Sequence, residues 1–186
     1  MKNKILNLIA KLDTSKDSIA HKVIDELTSY GDDALVHLLS AANDQSRPKV
    51  RKWSLQALGA IGSKKGVKPL LAALEDPKMT IRLHAIKGLA QMKHKASEQQ
   101  LAKLLMDSSG GIRVNSIDAL IAIKAKKSPT ELMKCLGDEK WYVRQHAAMA
   151  CGILKIDQAK RKLTELAAKD ARKAVRQASL EALEKL

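Results

Sequence analysis

A two-residue step, an apolar side chain followed by arginine, recurs along the chain as Val50-Arg51, Ile81-Arg82, Ile112-Arg113, Val143-Arg144 and Val175-Arg176. Successive arginines lie 31, 31, 31 and 32 residues apart, and Ile19-Ala20 holds the place one step earlier. Six steps of 31 fill the 186 residues, giving units of approximately 1–31, 32–62, 63–93, 94–124, 125–155 and 156–186. A period of this length constrains the fold tightly. Each unit is then one supersecondary element that cannot bury its own apolar face, so neighbouring units must stack.

Other columns keep the same step. Three residues after each arginine stands a small residue: Ser54, Ala85, Ser116, Ala147, Ser179. Six after stand Ala57, Gly88, Ala119, Ala150 and Ala182, and seven after stand Leu58, Leu89, Leu120, Cys151 and Leu183. Counted from the apolar residue before the arginine, these positions form one face of an α-helix. Small side chains let neighbouring backbones approach, and the leucines fill the layer between. A shorter apolar segment precedes each such helix, at Ala34–Ala42, Val67–Leu74, Gln99–Met106, Pro129–Leu136 and Ala159–Ala168. An aspartate separates the two segments: Asp44, Asp76, Asp107, Asp138 and Asp170. Asp is a strong helix N-cap, so these residues are expected to cap the second helix of each pair. Breakers such as Gly62-Ser63 and Ser128-Pro129 divide the units. Aromatic residues make up 2% of the chain and Phe is absent. A core of Leu, Ile, Val and Ala suits thin layers of close-packed helices better than a sheet sandwich.

Helix, Asp-bearing turn, then a helix opening Val-Arg and running into Ala-Leu-Gly resembles the HEAT repeat. The short-period HEAT-like form first named from phycobilin lyases is the most similar, and Arg51 to Gly62 is the best single copy. The resemblance covers about the whole chain and implies an all-α, right-handed solenoid of six helix pairs forming one domain, armadillo-type in architecture. It also implies a hydrogen-bonded ladder between layers, carried by Asp44/Arg51, Asp76/Arg82, Asp107/Arg113, Asp138/Arg144 and Asp170/Arg176. Four of these pairs are six residues apart and the first is seven apart, with the extra residue falling near Pro48. A feature present in every unit reads as architecture rather than as a ligand site. The outer units depart from the pattern, with Ala20 in the arginine column and Glu181, Glu184 and Lys185 facing outward at the end. On that basis the sequence reads as a complete array with capped ends.

Two surfaces are candidates for binding. The column two residues after each arginine contains Trp53, His84, Asn115 and His146, with Lys22 in the first unit. In the HEAT-like family the second helix lines the concave side, so this row is expected on or beside that face, offering stacking and hydrogen bonding to a partner. The competing expectation is that Trp53 covers a core edge and the histidines are solvated. The loops between units form a second, basic edge. It holds Lys64, Lys65 and Lys68, then Lys93 and Lys95, then Lys124, Lys126 and Lys127, then Lys155, Lys160, Arg161 and Lys162. Lysines after a helix complement its dipole, but one cation per helix would suffice for that, and several units carry three. The formal net charge of +14, from 34 Lys and Arg against 20 Asp and Glu, favours polyanions as partners.

Enzymatic readings find little support. Deoxyhypusine hydroxylases, a branch of the HEAT-like family, hold iron with His-Glu pairs. Here the pairs are His84-Ala85 and His146-Ala147, and the carboxylate is missing from both. A HEAT-like DNA glycosylase would use tryptophans and an aspartate, for which Trp53, Trp141, Tyr142 and Asp118 are the available residues, yet no local motif of that family is matched. No hydrolase triad, phosphate-binding loop or dinucleotide fingerprint is present. Cys135 and Cys151 fall in core columns and read as packed thiols. The expected function is therefore a non-enzymatic scaffold, without metal or cofactor, binding a protein partner through the concave face. A nucleic-acid module on the basic edge is the alternative, and a glycosylase or a lyase accessory protein stands behind both. No apolar run is long enough to span a membrane, and no signal-peptide pattern opens the chain. A cytoplasmic monomer is the expectation.

Overall fold

The spacing of the aspartates decides where each pair of helices turns. In the computed structural model, which describes residues 1–186, the first helices of the pairs are α1 (Lys2–Lys11), α3 (Asp32–Asn43), α5 (Val67–Ala73), α7 (Glu98–Lys103), α9 (Pro129–Lys134) and α11 (Lys160–Lys169). The second helices are α2 (Asp17–Ser29), α4 (Pro48–Ile61), α6 (Met79–Gln91), α8 (Gly110–Ala122), α10 (Trp141–Ile153) and α12 (Lys173–Lys185). There is no strand. The period-31 reading thus gives twelve helices in six pairs, as expected. The chain groups into two compact units, Met1–His94 and Lys95–Leu186, each with three pairs.

In the first unit α4 is the central element, packing on α2, α3 and α6. Ile5, Leu8, Leu27, Leu38, Leu58, Ile81 and Leu89 are buried there. In the second unit α10 is central, packing on α8, α9 and α12. Its core includes Leu101, Ile112, Leu120, Leu136, Val143, Leu163 and Val175. Second helices meet where side chains are smallest. A Cβ added to Gly59 would stand 2.3 Å from the Gly88 Cα, and one on Gly152 would stand 2.7 Å from the Ala182 Cα. The small-residue columns are therefore backbone contacts, as the sequence pattern implies.

The aspartates close the turns differently from the expected N-cap. The cap position falls two residues later, at Lys78, Ser109, Lys140 and Arg172. Each aspartate instead forms an Asx turn, its carboxylate accepting the backbone N–H two residues on. The lengths are 2.9 Å at Asp44–Ser46, 2.8 Å at Asp76–Lys78, Asp107–Ser109 and Asp138–Lys140, and 2.9 Å at Asp170–Arg172. A short acceptor that bonds its own backbone at i+2 fits a turn better than a helix start.

The turn carboxylates also hold the arginines. Arg113 meets Asp138 with two parallel bonds, Nε to Oδ2 at 2.7 Å and Nη2 to Oδ1 at 2.8 Å. Arg144 meets Asp170 in the same way at 2.7 and 3.0 Å. Each arginine also donates Nη1 to the carbonyl of the aspartate in its own turn: Arg82 to Asp76, Arg113 to Asp107, Arg144 to Asp138 and Arg176 to Asp170, at 2.7–2.8 Å. The planar fork makes both engagements at once. Arg51 differs because its turn is one residue longer. Its Nη1 reaches Asp76 at 2.5 Å, but its Nε donates to the Ala42 carbonyl at 3.1 Å. Asp44 has no arginine one period earlier, since Ala20 stands there, and Arg47 takes the role locally at 2.6 Å. Hydrogen bonds from Ser46 and then Arg47 hold the Asp44 carboxyl down to about 2.

Four second helices end by a left-handed residue at successive thirty-first positions, Gly62, Lys93, Lys124 and Lys155, with φ of 73°, 50°, 55° and 58°, whereas Gly31 one step earlier combines φ 51° with ψ −125° and opens α3. At the last three, the next residue's N–H bonds back five residues, His94 to Leu89, Ala125 to Leu120 and Ile156 to Cys151, at 2.9–3.1 Å. This is the Schellman ending, whose left-handed position favours glycine. Here it is filled by lysine three times.

Candidate functional site

The second-helix column divides into buried and half-exposed members. Trp53 is 2% exposed and His84 5%, so neither presents a surface to a partner, which corrects the expectation for these two residues. Both stand three residues after the apolar residue that precedes the arginine, Val50 or Ile81. The i+3 position borders a helix's core stripe, and this was the signal available to place them inside. The Trp53 Nε1–H donates to the Thr14 carbonyl at 3.2 Å, and its ring meets His84 and His21 edge-on at 4.6 and 5.5 Å between centroids. The Lys52 ammonium lies 4.4 Å from the indole centroid. Lys22 is exposed on α2, and Asn115 and His146 are half-buried.

Polar rungs join the second helices along this column. His84 Nδ1 lies 2.8 Å from Gln56 Oε1, and Gln56 Nε2 lies 3.1 Å from His21 Nε2. The equivalent rung in the second unit pairs His146 Nδ1 with Asp118 Oδ1 at 2.8 Å. The two rungs titrate in opposite directions. Burial, with Lys87, Lys52 and His21 adding repulsion, pushes His84 down to about 3. The hydrogen bond that its ring N–H donates to the Asp118 carboxylate pulls His146 up. Asp118 is thereby engaged, and Asn115 turns its amide back to the Gly111 carbonyl at 2.8 Å. On α10, Met149 and Ile153 lie three and seven residues beyond His146, on the same face, and are 39% and 44% exposed. Sequence reasoning missed them. Their columns hold Gln56, Lys87 and Asp118, and Ala60, Gln91 and Ala122, in other units, so no apolar pattern marked them.

Of the basic-edge residues, Lys64, Lys65, Lys68 and Lys93 are exposed in the first unit, and Lys95, Lys124, Lys126, Lys127, Lys155, Lys160 and Arg161 in the second. Some are engaged locally. Lys160 pairs with Asp157 at 2.8 Å, half-buried Lys162 pairs with Glu165 at 3.1 Å, and Lys155 Nζ donates to the Lys185 carbonyl at the end of α12. Lys95, Lys124, Lys126 and Lys127 line a hollow of about 530 Å³ together with Glu98 and Gln99. Glu98 is buried, accepting from the Lys127 backbone N–H and, at 3.0 Å, from the Ser128 hydroxyl. A second hollow of about 480 Å³ shares Lys124 and Lys126 and is walled by Ile121, Ile153 and Leu154.

The remaining groups show no catalytic grouping. Burial raises the Cys135 thiol to about 11 and the Cys151 thiol to about 12, so both stay protonated near neutral pH. No three His, Cys, Asp or Glu side chains converge as metal donors. Trp141 opens α10, half out in solvent, with its ring edge-on to Tyr142 at 5.8 Å. Tyr142 closes over Gly110, where an added Cβ would meet its hydroxyl oxygen at 2.5 Å. No helix is long and apolar enough to cross a membrane.

Stacked helix pairs joined by Asp–Arg rungs define an all-α, right-handed solenoid class. The chain matches the family of HEAT repeats at residues 5–79, 67–135 and 107–184, and it belongs to that family. A search among curated proteins gave no match. Among solved structures, the fold is similar to a chain in the complex of CpcE and CpcF of phycocyanin lyase from Nostoc sp. PCC7120. The identity is 24%, with a TM-score of 0.64, covering 95% of this chain and 75% of that one. It is also similar to a designed armadillo repeat protein in complex with the peptide (KR)4, with 18% identity, TM-score 0.64, and coverage of 96% and 98%. An engineered protein aligns at 17% identity and TM-score 0.68, over 99% and 89% of the two chains.

Proposed function

We propose that this chain is a non-enzymatic HEAT-repeat scaffold that binds a protein partner through the face of its second helices, the concave side in this family. The observation that carries the reading is α10, where Met149 and Ile153 expose apolar surface beside the half-buried His146. Aligned apolar side chains bordered by polar ones are the composition of a protein contact. Two solved solenoids of similar fold are held in complexes, one with a partner subunit and one with a peptide. The peptide bound by the designed armadillo protein is basic. A chain with net charge +14 would repel such a ligand, so an acidic partner is the complementary one.

Affinity capture from nuclease-treated lysate of the source cells tests this. A protein retained by the wild type and lost by Met149→Glu supports the reading. A partner held equally by both excludes this face. Capture that vanishes with nuclease treatment instead favours nucleic acid on the basic edge, which oligonucleotide titration at two salt concentrations would then measure.

A further inference from the structure

We propose that the paired hollows around the loop after α8 receive an acidic peptide segment whose carboxylates meet lysines and whose aliphatic side chains meet the neighbouring isoleucines. This rests on the protein-scaffold reading but names an adjoining surface, which shares Ile153 with that face, and a ligand chemistry. Lys124 and Lys126 border both hollows. On one side Lys95 and Lys127 join them, and on the other Ile121, Ile153 and Leu154 form an apolar wall. Cationic and aliphatic surfaces thus lie side by side in the second unit. The one carboxylate at the basic hollow, Glu98, is turned inward and occupied by Lys127 N–H and Ser128. None of the four lysine ammonium groups is paired with a carboxylate, so their charge is directed to solvent.

Backbone geometry supplies an independent argument. Lys124 sits at φ 55°, the left-handed position that glycine occupies at Gly62. A side chain there is disfavoured, and strain kept at a surface position points to a use for that side chain. Lys155, in the equivalent place, has a structural use, since its ammonium caps the α12 carbonyls at Lys185. Lys124 has no such bond, which leaves its ammonium open to a ligand at the hollows it borders. The apolar wall selects among anions. A nucleic acid would gain from aromatic or arginine stacking, and neither hollow contains either residue type. An acidic segment carrying Leu or Ile uses both surfaces.

The test uses the full chain and a fluorescein-labelled peptide alternating Glu with Leu. Three further probes are an oligo-Glu peptide of equal charge, oligodeoxythymidine, and vesicles containing phosphatidylserine. The alternating peptide is expected to bind at least about tenfold more tightly than oligo-Glu, and Lys126→Glu is expected to weaken it about tenfold. Lys124→Gly separates binding from folding. Relief of the left-handed lysine is expected to raise Tm by about 2 °C while peptide affinity falls. Equal binding of the two peptides, tighter binding of the oligonucleotide or vesicles, or unchanged affinity in Lys124→Gly would each overturn the inference. If the captured partner of the Met149 experiment survives Lys126→Glu, the scaffold reading stands and this groove does not.

Discussion

At the scale of single residues, one column of the repeat contains two histidines in opposite electrostatic situations. His84 is enclosed and pushed down to about 3 by burial, whereas His146 is pulled above its ordinary value by Asp118. The unfolded chain takes a proton at His84 near pH 6.5, which the folded chain refuses until about 3. This site therefore costs stability as pH falls from 6.5, on the order of a few kcal/mol at most. His146 works the other way. Its pair with Asp118 stabilises the fold fully below pH 6.5 and is lost as pH rises through its raised value. Histidine NMR titration should show the His84 ring unchanged from pH 8 to 4.5 and the His146 ring titrating above 6.5. A midpoint for His84 near 6.5 would contradict its enclosure. The column itself was legible from the period. Its burial was not, because Trp53 and His84 lie at the stripe's edge, where side-chain size and a partner such as Thr14 or Gln56 decide the outcome.

At the scale of helices and turns, the aspartate column does two jobs in one residue. In Asp138, Oδ1 holds the Lys140 amide and shares in the Arg113 fork, while Oδ2 completes the fork. Both side chains are nearly enclosed, with 9% and 11% exposure. Asp138→Ala removes both fork contacts from an enclosed arginine, leaving it only the exposed Glu139 at 3.9 Å and the Asp107 carbonyl, and opens the turn, so a loss of about 3 kcal/mol in urea unfolding is expected. Asp44→Ala, whose partner Arg47 is exposed, should cost much less than Asp138→Ala in the same measurement. Helix contacts give a second pair of tests. Gly59→Ala would gain helix propensity but drive a methyl into the Gly88 backbone at 2.3 Å, for a net loss of about 1–3 kcal/mol. Gly111→Ala meets nothing closer than 3.6 Å and should be neutral or stabilising by less than about 1 kcal/mol. If Gly59→Ala is as stable as the wild type, the backbone approach is wrong. The sequence already showed that Asp and Arg recur together. It could not show that Asp forms an Asx turn rather than a cap, because both uses place the same residue between helices. The one-residue surplus before Pro48 was visible, and its effect, Arg51 turning to Ala42, is a matter of reach.

At the scale of the whole molecule, 34 cations face 20 anions, and several of those anions are already spent on rungs inside the fold. Each of those anions is matched by an arginine, so the surplus of +14 stays on the remaining, mostly exposed groups, and the lysine loops repel one another. Shortening the screening length from ~30 Å at 0.01 M salt to ~8 Å at 0.15 M should relieve that repulsion, while the enclosed rungs feel it less. Tm measured by circular dichroism should therefore rise by a few degrees over this range. A fall would mean that the surface pairs outweigh the repulsion. Architecture was the most legible property here, since five columns repeat at one step. The left-handed lysines were legible in hindsight, because Gly62, Lys93, Lys124 and Lys155 share that step. The exposed pair on α10 was not, because Met149 and Ile153 break their columns rather than continue them.

A carboxylate that ties its own loop and its neighbour's guanidinium makes the linker between paired helices a poor place to cut or lengthen the chain, since one change there releases two repeats. The boundary after each second helix is different. It closes on its own carbonyls, takes no part in the Asp–Arg rungs, and offers the natural seam for exchanging repeats between solenoids of this kind, provided the Glu98 and Lys155 contacts are carried with it.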